Sequence, residues 1–134
     1  MIVPDSSVWI DYLNGNETQQ TALLTRLLGS ELYAVVTGDI ILTEVLQGFR
    51  DDTEFQYARE LLVGLRFEEM LGQKIALQSA QNNRLLRQRG ITLRKTTNLI
   101  IGTFCIINGL TLLHSDQDFA PMIEHLGLKV LSSA

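Results

Sequence analysis

Short, uniformly apolar segments alternate along the chain with longer segments in which apolar residues recur every three or four positions. A strand with one face in water would alternate apolar and polar residues, so the uniform segments indicate strands that are buried on both faces, as in a parallel sheet. Such strands are predicted at 2–3, 32–36 and 111–113, and further short strands are predicted at 65–68 and 129–131, where charged residues accompany the apolar ones. The alternation predicts an α/β fold with a short-stranded, mostly parallel central sheet covered by helices on both faces.

The longer segments are predicted to be helices because their apolar residues fall on one helical face. A helix favours a serine, threonine or aspartate cap at its start and a glycine just after its end. These signals predict helices from a cap at Ser6 or Ser7 to Leu13, over 17–28, 40–47, 54–62 and 72–89, from a cap at Thr96 or Thr97 to Ile107, and from Asp116 or Asp118 to Leu126. Neither a repeat nor a flexible linker interrupts the series, so residues 1–134 are predicted to form a single domain.

The composition of the chain indicates in which cellular compartment the protein is expected. The 134 residues are enough for a substantial core, and the single cysteine, Cys105, cannot form an internal disulfide. The N-terminal segment lacks a basic region followed by an apolar one, and the longest apolar stretch, 99–107, is too short to span a bilayer. We therefore expect a cytoplasmic protein with no membrane association. The net charge of −4 argues against nucleic-acid binding over the whole surface.

Acidic residues follow the predicted strands where the strands end. Asp5 comes after the first strand, Asp116 and Asp118 come after the strand at 111–113, and Glu44 lies on the helix that follows the second strand. Ligands bind outside the carboxyl ends of parallel strands, so these side chains are expected to share one rim. Each alone is typical of a helix cap or a solvated surface. Clustered carboxylates without His or Cys favour Mg²⁺ or Mn²⁺, which would activate water and neutralise phosphodiester charge.

Four motifs extend this pattern over nearly the whole chain. They are VPDSSVWI at 3–10, LTEVLQG at 42–48, TTNLIIG at 96–102 and LLHSDQDF at 112–119. In this order and spacing they resemble a PIN-domain ribonuclease of the VapC toxin type. The resemblance implies a three-layer α/β/α sandwich, Mg²⁺-dependent (or Mn²⁺-dependent) endoribonuclease activity on an RNA substrate, a cognate antitoxin protein, and assembly into homodimers and toxin–antitoxin hetero-oligomers.

The resemblance also implies roles for individual residues. Asp5, Glu44 and Asp116 match the acids that hold the metal and activate water, and Asp118 matches a possible outer ligand. Ser6 or Ser7 matches a hydroxyl that supports the first acid. Asn98 stands where the family has a further metal-binding and catalytic aspartate. An asparagine is neutral and exchanges one carboxylate oxygen for an amide donor, which a cation repels. We therefore expect weaker metal binding and a weakened or inactive nuclease.

Basic residues cluster just before the third motif, at Arg84, Arg87, Arg89, Arg94 and Lys95. Among them, Arg87, Arg94 and Lys95 are predicted to bind RNA. The alternative is that they complement the negative end of a helix dipole.

A second surface is predicted around the first helix. Trp9, Tyr12, Leu13, Leu46 and Phe49 could line an apolar groove for a helix of the antitoxin. Ordinary core packing would explain the same residues.

Two other functions compete with a metal-dependent nuclease. A catalytically silent PIN domain would bind RNA or the antitoxin without cleaving, and Asn98 is compatible with it. A receiver-like phosphoacceptor also places acids at strand ends. Such a domain needs an acidic pair near its start, an aspartate ending the third strand and a later lysine at a strand end, and these fit the sequence poorly.

Overall fold

The computed structural model describes residues 1–30 and 34–132, and all its strand pairs are parallel. The strands are β1 (Ile2–Pro4), β2 (Val36–Gly38), β3 (Arg66–Glu68) and β4 (Thr111–Leu113). β1 pairs with β4 and β2 pairs with β3, and a parallel bridge between Ile2 and Val35 joins the two pairs. The resulting order β3-β2-β1-β4 places β1 and β4 side by side, which decides where the acids meet.

Helices surround this sheet. They are α1 (Ser6–Leu13), α2 (Gln19–Ser30), α3 (Asp39–Leu46), α4 (Asp52–Val63), α5 (Gln73–Gln88), α6 (Thr96–Asn108) and α7 (Ala120–Leu126), with a 3₁₀ turn at Gln117–Phe119 before α7. Val36, Thr37 and Gly38 are all buried, as are Leu112 and Leu113. Successive strand residues point to opposite faces, so both faces of the sheet are covered at β2 and β4, whereas Arg66 and Phe67 of the edge strand β3 are exposed. This confirms the predicted α/β/α sandwich.

Several predicted boundaries differ from the structure. The second strand extends to Gly38, two residues beyond its predicted end, and its predicted beginning at 32–33 lies outside the described residues. The predicted strand at 129–131 is reduced to one parallel bridge between Val130 and Leu112. Helix α2 begins at Gln19, two residues later than predicted, after Thr18, whose hydroxyl accepts a hydrogen bond from the Thr21 backbone N–H.

The predicted caps of α1 and α6 are wrong. Asp5 caps α1, accepting a hydrogen bond from the Ser7 backbone N–H, whereas Ser6 and Ser7 lie inside the helix. Lys95 occupies the cap position of α6 and makes no side-chain cap. The serine and threonine hydroxyls at these helix starts are consequently available for contacts in the functional site.

The core contains the largest side chain of the described chain. Trp9 is fully buried and packs edge-on against Tyr12, with ring centroids 6.0 Å apart. Cys105 is also buried and has a free thiol. Among residues 1–30 and 34–132, no helix combines the length and the apolar character needed to cross a bilayer.

Candidate active site

The carboxyl ends of β1 and β4 bring two acidic segments together. Pro4 pairs with Leu113, and the Asp5 backbone N–H donates to the Leu113 carbonyl at 2.8 Å. The loop that follows Leu113 therefore leaves the sheet beside Asp5. The Ser7 hydroxyl accepts a hydrogen bond from the Ser115 N–H at 3.1 Å, which fastens that loop to the start of α1.

Asp5 is a buried carboxylate with one satisfied oxygen. Its Oδ2 accepts hydrogen bonds from the Ser7 N–H at 3.0 Å and the Ser7 hydroxyl at 2.6 Å. Its Oδ1 is buried and has no hydrogen-bond partner within the described part of the chain. Burial raises the pKa of Asp5, the Ser7 hydrogen bonds oppose that rise, and the charge of Glu44 adds to it. A buried acceptor without a partner indicates a place where a donor or a cation would bind.

Glu44 is held by two hydroxyls from different helices. Ser6, the first residue of α1, donates to Oε1 at 2.8 Å, and Thr97, near the start of α6, donates to Oε2 at 2.9 Å. The carboxylate thus sits at the positive ends of two helix dipoles, where negative charge is favoured. Thr97 was expected as a possible cap, and its contact with Glu44 was not foreseen from the sequence.

Asn98 joins the acids of the last motif. It is 2 % exposed, and its amide nitrogen donates to Asp116 Oδ2 at 3.1 Å and to Asp118 Oδ2 at 3.2 Å. In this orientation the amide nitrogen, and not the oxygen, faces both carboxylates. A neutral donor therefore lies between the two carboxylates.

Asp118 also anchors the segment before α6. Its two carboxylate oxygens accept hydrogen bonds from the backbone N–H groups of Arg94 at 2.9 Å and Lys95 at 3.2 Å. These contacts use the backbone, so they do not depend on the basic side chains. Asp118 thereby fixes the start of α6, which carries Thr97 and Asn98.

Asp116 is flanked by two cations. Arg94 Nη2 lies 3.7 Å from Oδ1 and Lys95 Nζ lies 3.7 Å from Oδ2, and both basic side chains are largely exposed. Burial alone would raise the pKa of Asp116, but hydrogen bonds from the Asp118 N–H and the Asn98 amide, with the charges of Lys95 and Arg94, outweigh it and lower the pKa. Asp116 is therefore held as a carboxylate.

The oxygen donors fit Mg²⁺ or Mn²⁺ in their chemistry, although one donor position is neutral. Carboxylates without His or Cys match a hard cation, and Asp5 Oδ1 lacks the partner that such an ion would supply. Across the described ranges, no group of three or more His, Cys, Asp or Glu residues is arranged to hold a metal ion. Asn98, which lies among these acids, is neutral and donates to two of them.

The predicted groove around α1 is only partly supported. Trp9 is fully buried in the core, so its assignment to a surface groove was wrong. Leu13 and Phe49 line a cavity of about 440 Å³ beside α4. Tyr12 and Leu46 are partly buried against the core.

The basic cluster is divided in the structure. Arg94 and Lys95 reach Asp116, whereas Arg87 lines a separate cavity between α5 and α6. Arg84 contacts Gln81, and Arg89 contacts His125. Of the predicted RNA-binding residues, Arg94 and Lys95 thus lie at the acids and Arg87 lies in the neighbouring cavity, whereas Arg84 and Arg89 contact other residues.

Comparison with known proteins agrees with this architecture. Ribonuclease VapC11 of Mycobacterium tuberculosis is 27% identical over 132 residues, which cover 98% of each chain. The structure of VapBC2 from Rickettsia felis bound to a DNA fragment from their promoter matches with a TM-score of 0.76 at 15% identity over 98% of both chains. Mycobacterium tuberculosis VapC20, a sarcin-ricin loop cleaving toxin, matches with a TM-score of 0.67 at 18% identity, covering 90% of this chain and 93% of that one. The model of the PIN domain matches residues 2–122, and the chain therefore belongs to the PIN domain family.

Proposed function

We propose that this protein is a toxin-type endoribonuclease that hydrolyses RNA phosphodiester bonds with Mg²⁺ or Mn²⁺, and that Asn98 weakens or abolishes this activity. The observation that supports it best is the buried Oδ1 of Asp5, which has no partner among the described residues. Asp5 is bonded through its backbone N–H to Leu113, three residues before Asp116, and the neighbouring Ser6 holds Glu44. The 27% identity to a VapC ribonuclease over nearly the full length agrees with it.

The residues at the proposed active site would have three roles: holding the metal ion, binding the phosphate and orienting the acids. Asp5 and Asp116, with Glu44 beside them and Asp118 as an outer member, would hold the ion, which when bound supplies charge neutralisation and an acidified water. Arg94 and Lys95 would bind the phosphate, since both are exposed and lie 3.7 Å from Asp116. Ser6 and Thr97 orient Glu44, and Ser7 orients Asp5. Asn98 contributes no charge, so the ion would bind more weakly than in a relative with four acids.

The partner would be an antitoxin that binds along α1. Two adjoining cavities lie there, of about 440 and 370 Å³, and Asn14, Phe49 and Glu54 line both. An apolar helix face fits beside Phe49, and a basic residue of the partner fits the acidic rim. Cytoplasmic location and homodimers or toxin–antitoxin hetero-oligomers complete the proposal.

The decisive experiment compares this chain with Asn98→Asp for cleavage of a sarcin-ricin loop RNA and a mixed structured RNA, with Mn²⁺, Mg²⁺ or EDTA. We expect Asn98→Asp to cleave about 10- to 100-fold faster with metal, which is the usual effect of restoring a group at a metal site. Asn98→Asp combined with Asp5→Asn is the matched control and should be inactive. If the single variant cleaves no faster than the parent, residue 98 has no role in metal binding.

The second candidate is a silent PIN domain that binds RNA or the antitoxin. The contacts of the Asn98 amide with both Asp116 and Asp118 favour it, because this cluster is already satisfied without an ion. It predicts equal RNA binding by the parent and Asn98→Asp in EDTA and cleavage by neither protein. Metal-dependent cleavage by Asn98→Asp would count against it.

A further inference from the structure

A third cavity lies between α5 and α6, apart from the two cavities along α1. Its volume is about 510 Å³, in the range of small-molecule sites. One wall is a helical stripe of small residues on α5, Ala76 and Ala80, spaced one turn apart. The facing wall consists of Leu99 and Ile100 of α6. These walls offer flat apolar contact without filling the space.

Two polar side chains continue the same stripe. Asn83 is partly buried, and its amide makes no hydrogen bond within the described chain; Arg87, one turn further along α5, makes no ion pair there. An amide offers both donors and an acceptor, which is what reading the edge of a nucleobase requires. An unpaired amide and an unpaired cation beside apolar walls therefore match a base and its phosphate.

Lys95 connects the cavity with the proposed active site. Lys95 lines it and also places Nζ 3.7 Å from Asp116 Oδ2. An RNA strand whose phosphate is bound by Arg94 and Lys95 would thus have a neighbouring nucleotide within reach of the cavity. A second copy of the chain is a poorer occupant, because a two-fold contact centred here would bring Arg87 and Lys95 towards their own equivalents.

We propose that this cavity binds one unpaired nucleotide of the RNA next to the bond that is cleaved and sets the base preference. The base would lie between the walls formed by Ala80 and Ile100 with its edge at Asn83, and Arg87 would bind its phosphate. The inference rests on the proposed RNA substrate, but it concerns recognition and can be measured without cleavage.

The test measures binding of fluorescent single-stranded A, C, G and U hexamers in EDTA, by anisotropy at several salt concentrations. Ala80→Trp fills the cavity, with Ala22→Trp, at an exposed alanine of α2, as its control. Asn83→Asp keeps the shape of the side chain but removes its donors. Arg87→Gln removes the cation, with Arg84→Gln, one turn away and outside the cavity, as its control.

We expect the parent to prefer one hexamer, and Ala80→Trp to weaken that hexamer by about fivefold or more, because the indole takes the space in which the base would bury apolar surface. Asn83→Asp should change the order of preference. Arg87→Gln should weaken all four hexamers and lower the salt slope by about 0.7. Both controls should behave like the parent.

Two results would overturn the inference. One is an unchanged preference in both Ala80→Trp and Asn83→Asp. The other is a loss of dimer mass in Ala80→Trp, measured by light scattering, which would assign the cavity to a contact between copies of the chain. Failure of Asn98→Asp to cleave RNA would refute the proposed nuclease and leave these binding results as they stand, so the two failures are distinguishable.

Discussion

The amide of Asn98 donates a hydrogen bond to Asp116 at 3.1 Å, and the same nitrogen lies 3.2 Å from a carboxylate oxygen of Asp118. A neutral donor thereby separates two acids inside a buried cluster. An aspartate at this position would bring three carboxylates together and would need a cation to hold them. Asn98, which we propose weakens metal binding, thus stabilises the same cluster when no metal is bound.

We therefore predict that Asn98→Asp lowers the stability of the metal-free protein. The change removes two hydrogen bonds and adds a buried charge, which together should cost about 2 kcal/mol or more in EDTA. Urea unfolding with and without Mn²⁺ measures this. Mn²⁺ should stabilise Asn98→Asp more than Asn98→Ala, which loses the same bonds without adding charge. Equal stability of the parent and Asn98→Asp in EDTA would contradict the prediction.

Asp118 is predicted to matter for folding whether or not metal is present. It accepts two backbone hydrogen bonds, from Arg94 and Lys95, and its loss leaves those N–H groups unsatisfied near the start of α6. Asp118→Ala should cost about 2 kcal/mol in EDTA. Asp118→Asn, which keeps one acceptor oxygen, should cost less. An unaffected midpoint of urea unfolding in Asp118→Ala would show that these contacts contribute little.

Arg94 and Lys95 are predicted to bind RNA phosphates. Exchanging both for glutamine should leave the fold intact, because Asp118 contacts their backbone N–H groups and not their side chains. Two lost phosphate contacts should lower the salt slope of single-stranded RNA binding by about 1.4. Titrations of RNA at several salt concentrations measure this, with Arg59→Gln on the exposed face of α4 as the control. An unchanged salt slope would show that Arg94 and Lys95 do not bind RNA phosphates and only neutralise the charge of Asp116.

The side-by-side ends of the strands that precede Asp5 and Asp116 could be anticipated from the sequence, because apolar runs mark where those strands end. Pairing of Pro4 with Leu113 then brings the two acids to one rim. The hydrogen-bond partners of Glu44 were harder to predict from the sequence, since Thr97 resembles an ordinary helix cap. That cap position belongs to Lys95, whose N–H is bound by Asp118, 23 residues further along the chain. A contact between residues so far apart in the chain cannot be predicted from the local sequence pattern.

Trp9 illustrates a different limit. Apolar residues on several sides of α1 fit either a groove or a core, and α1 packs against both α2 and α3, which leaves no exposed side at Trp9. Periodicity gives the apolar face of a helix but not the number of neighbours that cover it. Leu13 and Phe49, from the same predicted set, do border a cavity.

Cys105 is predicted to make stability fall at alkaline pH. Burial, with a smaller contribution from the charge of Asp5, raises the pKa of its thiol from 9.0 to about 12. The unfolded chain therefore loses the thiol proton at lower pH than the folded one. The stabilising effect is complete below pH 9 and is lost as the pH rises towards 12.

At pH 10 this should cost about 1 kcal/mol relative to pH 8. Urea unfolding at both pH values, compared with Cys105→Ala, isolates the contribution of the thiol. The same burial predicts no reaction of the native thiol with a disulfide reagent at pH 8. Equal pH dependence in the parent and Cys105→Ala would contradict the prediction.

Thr97 is predicted to position Glu44 rather than to start α6. Its hydroxyl donates to Oε2 while Ser6 donates to Oε1, so the two bonds fix the plane of the carboxylate. Thr97→Val keeps the branched shape and should cost about 1 kcal/mol, the usual value for a partly exposed hydrogen bond. Thr97→Ser should restore most of it, and Thr96→Val, at an exposed neighbour, should change little. A double-mutant cycle between Thr97→Val and Glu44→Ala measures the coupling, which should equal most of the loss in Thr97→Val alone. Additive effects of the two substitutions would show that Thr97 acts on the helix and not on Glu44.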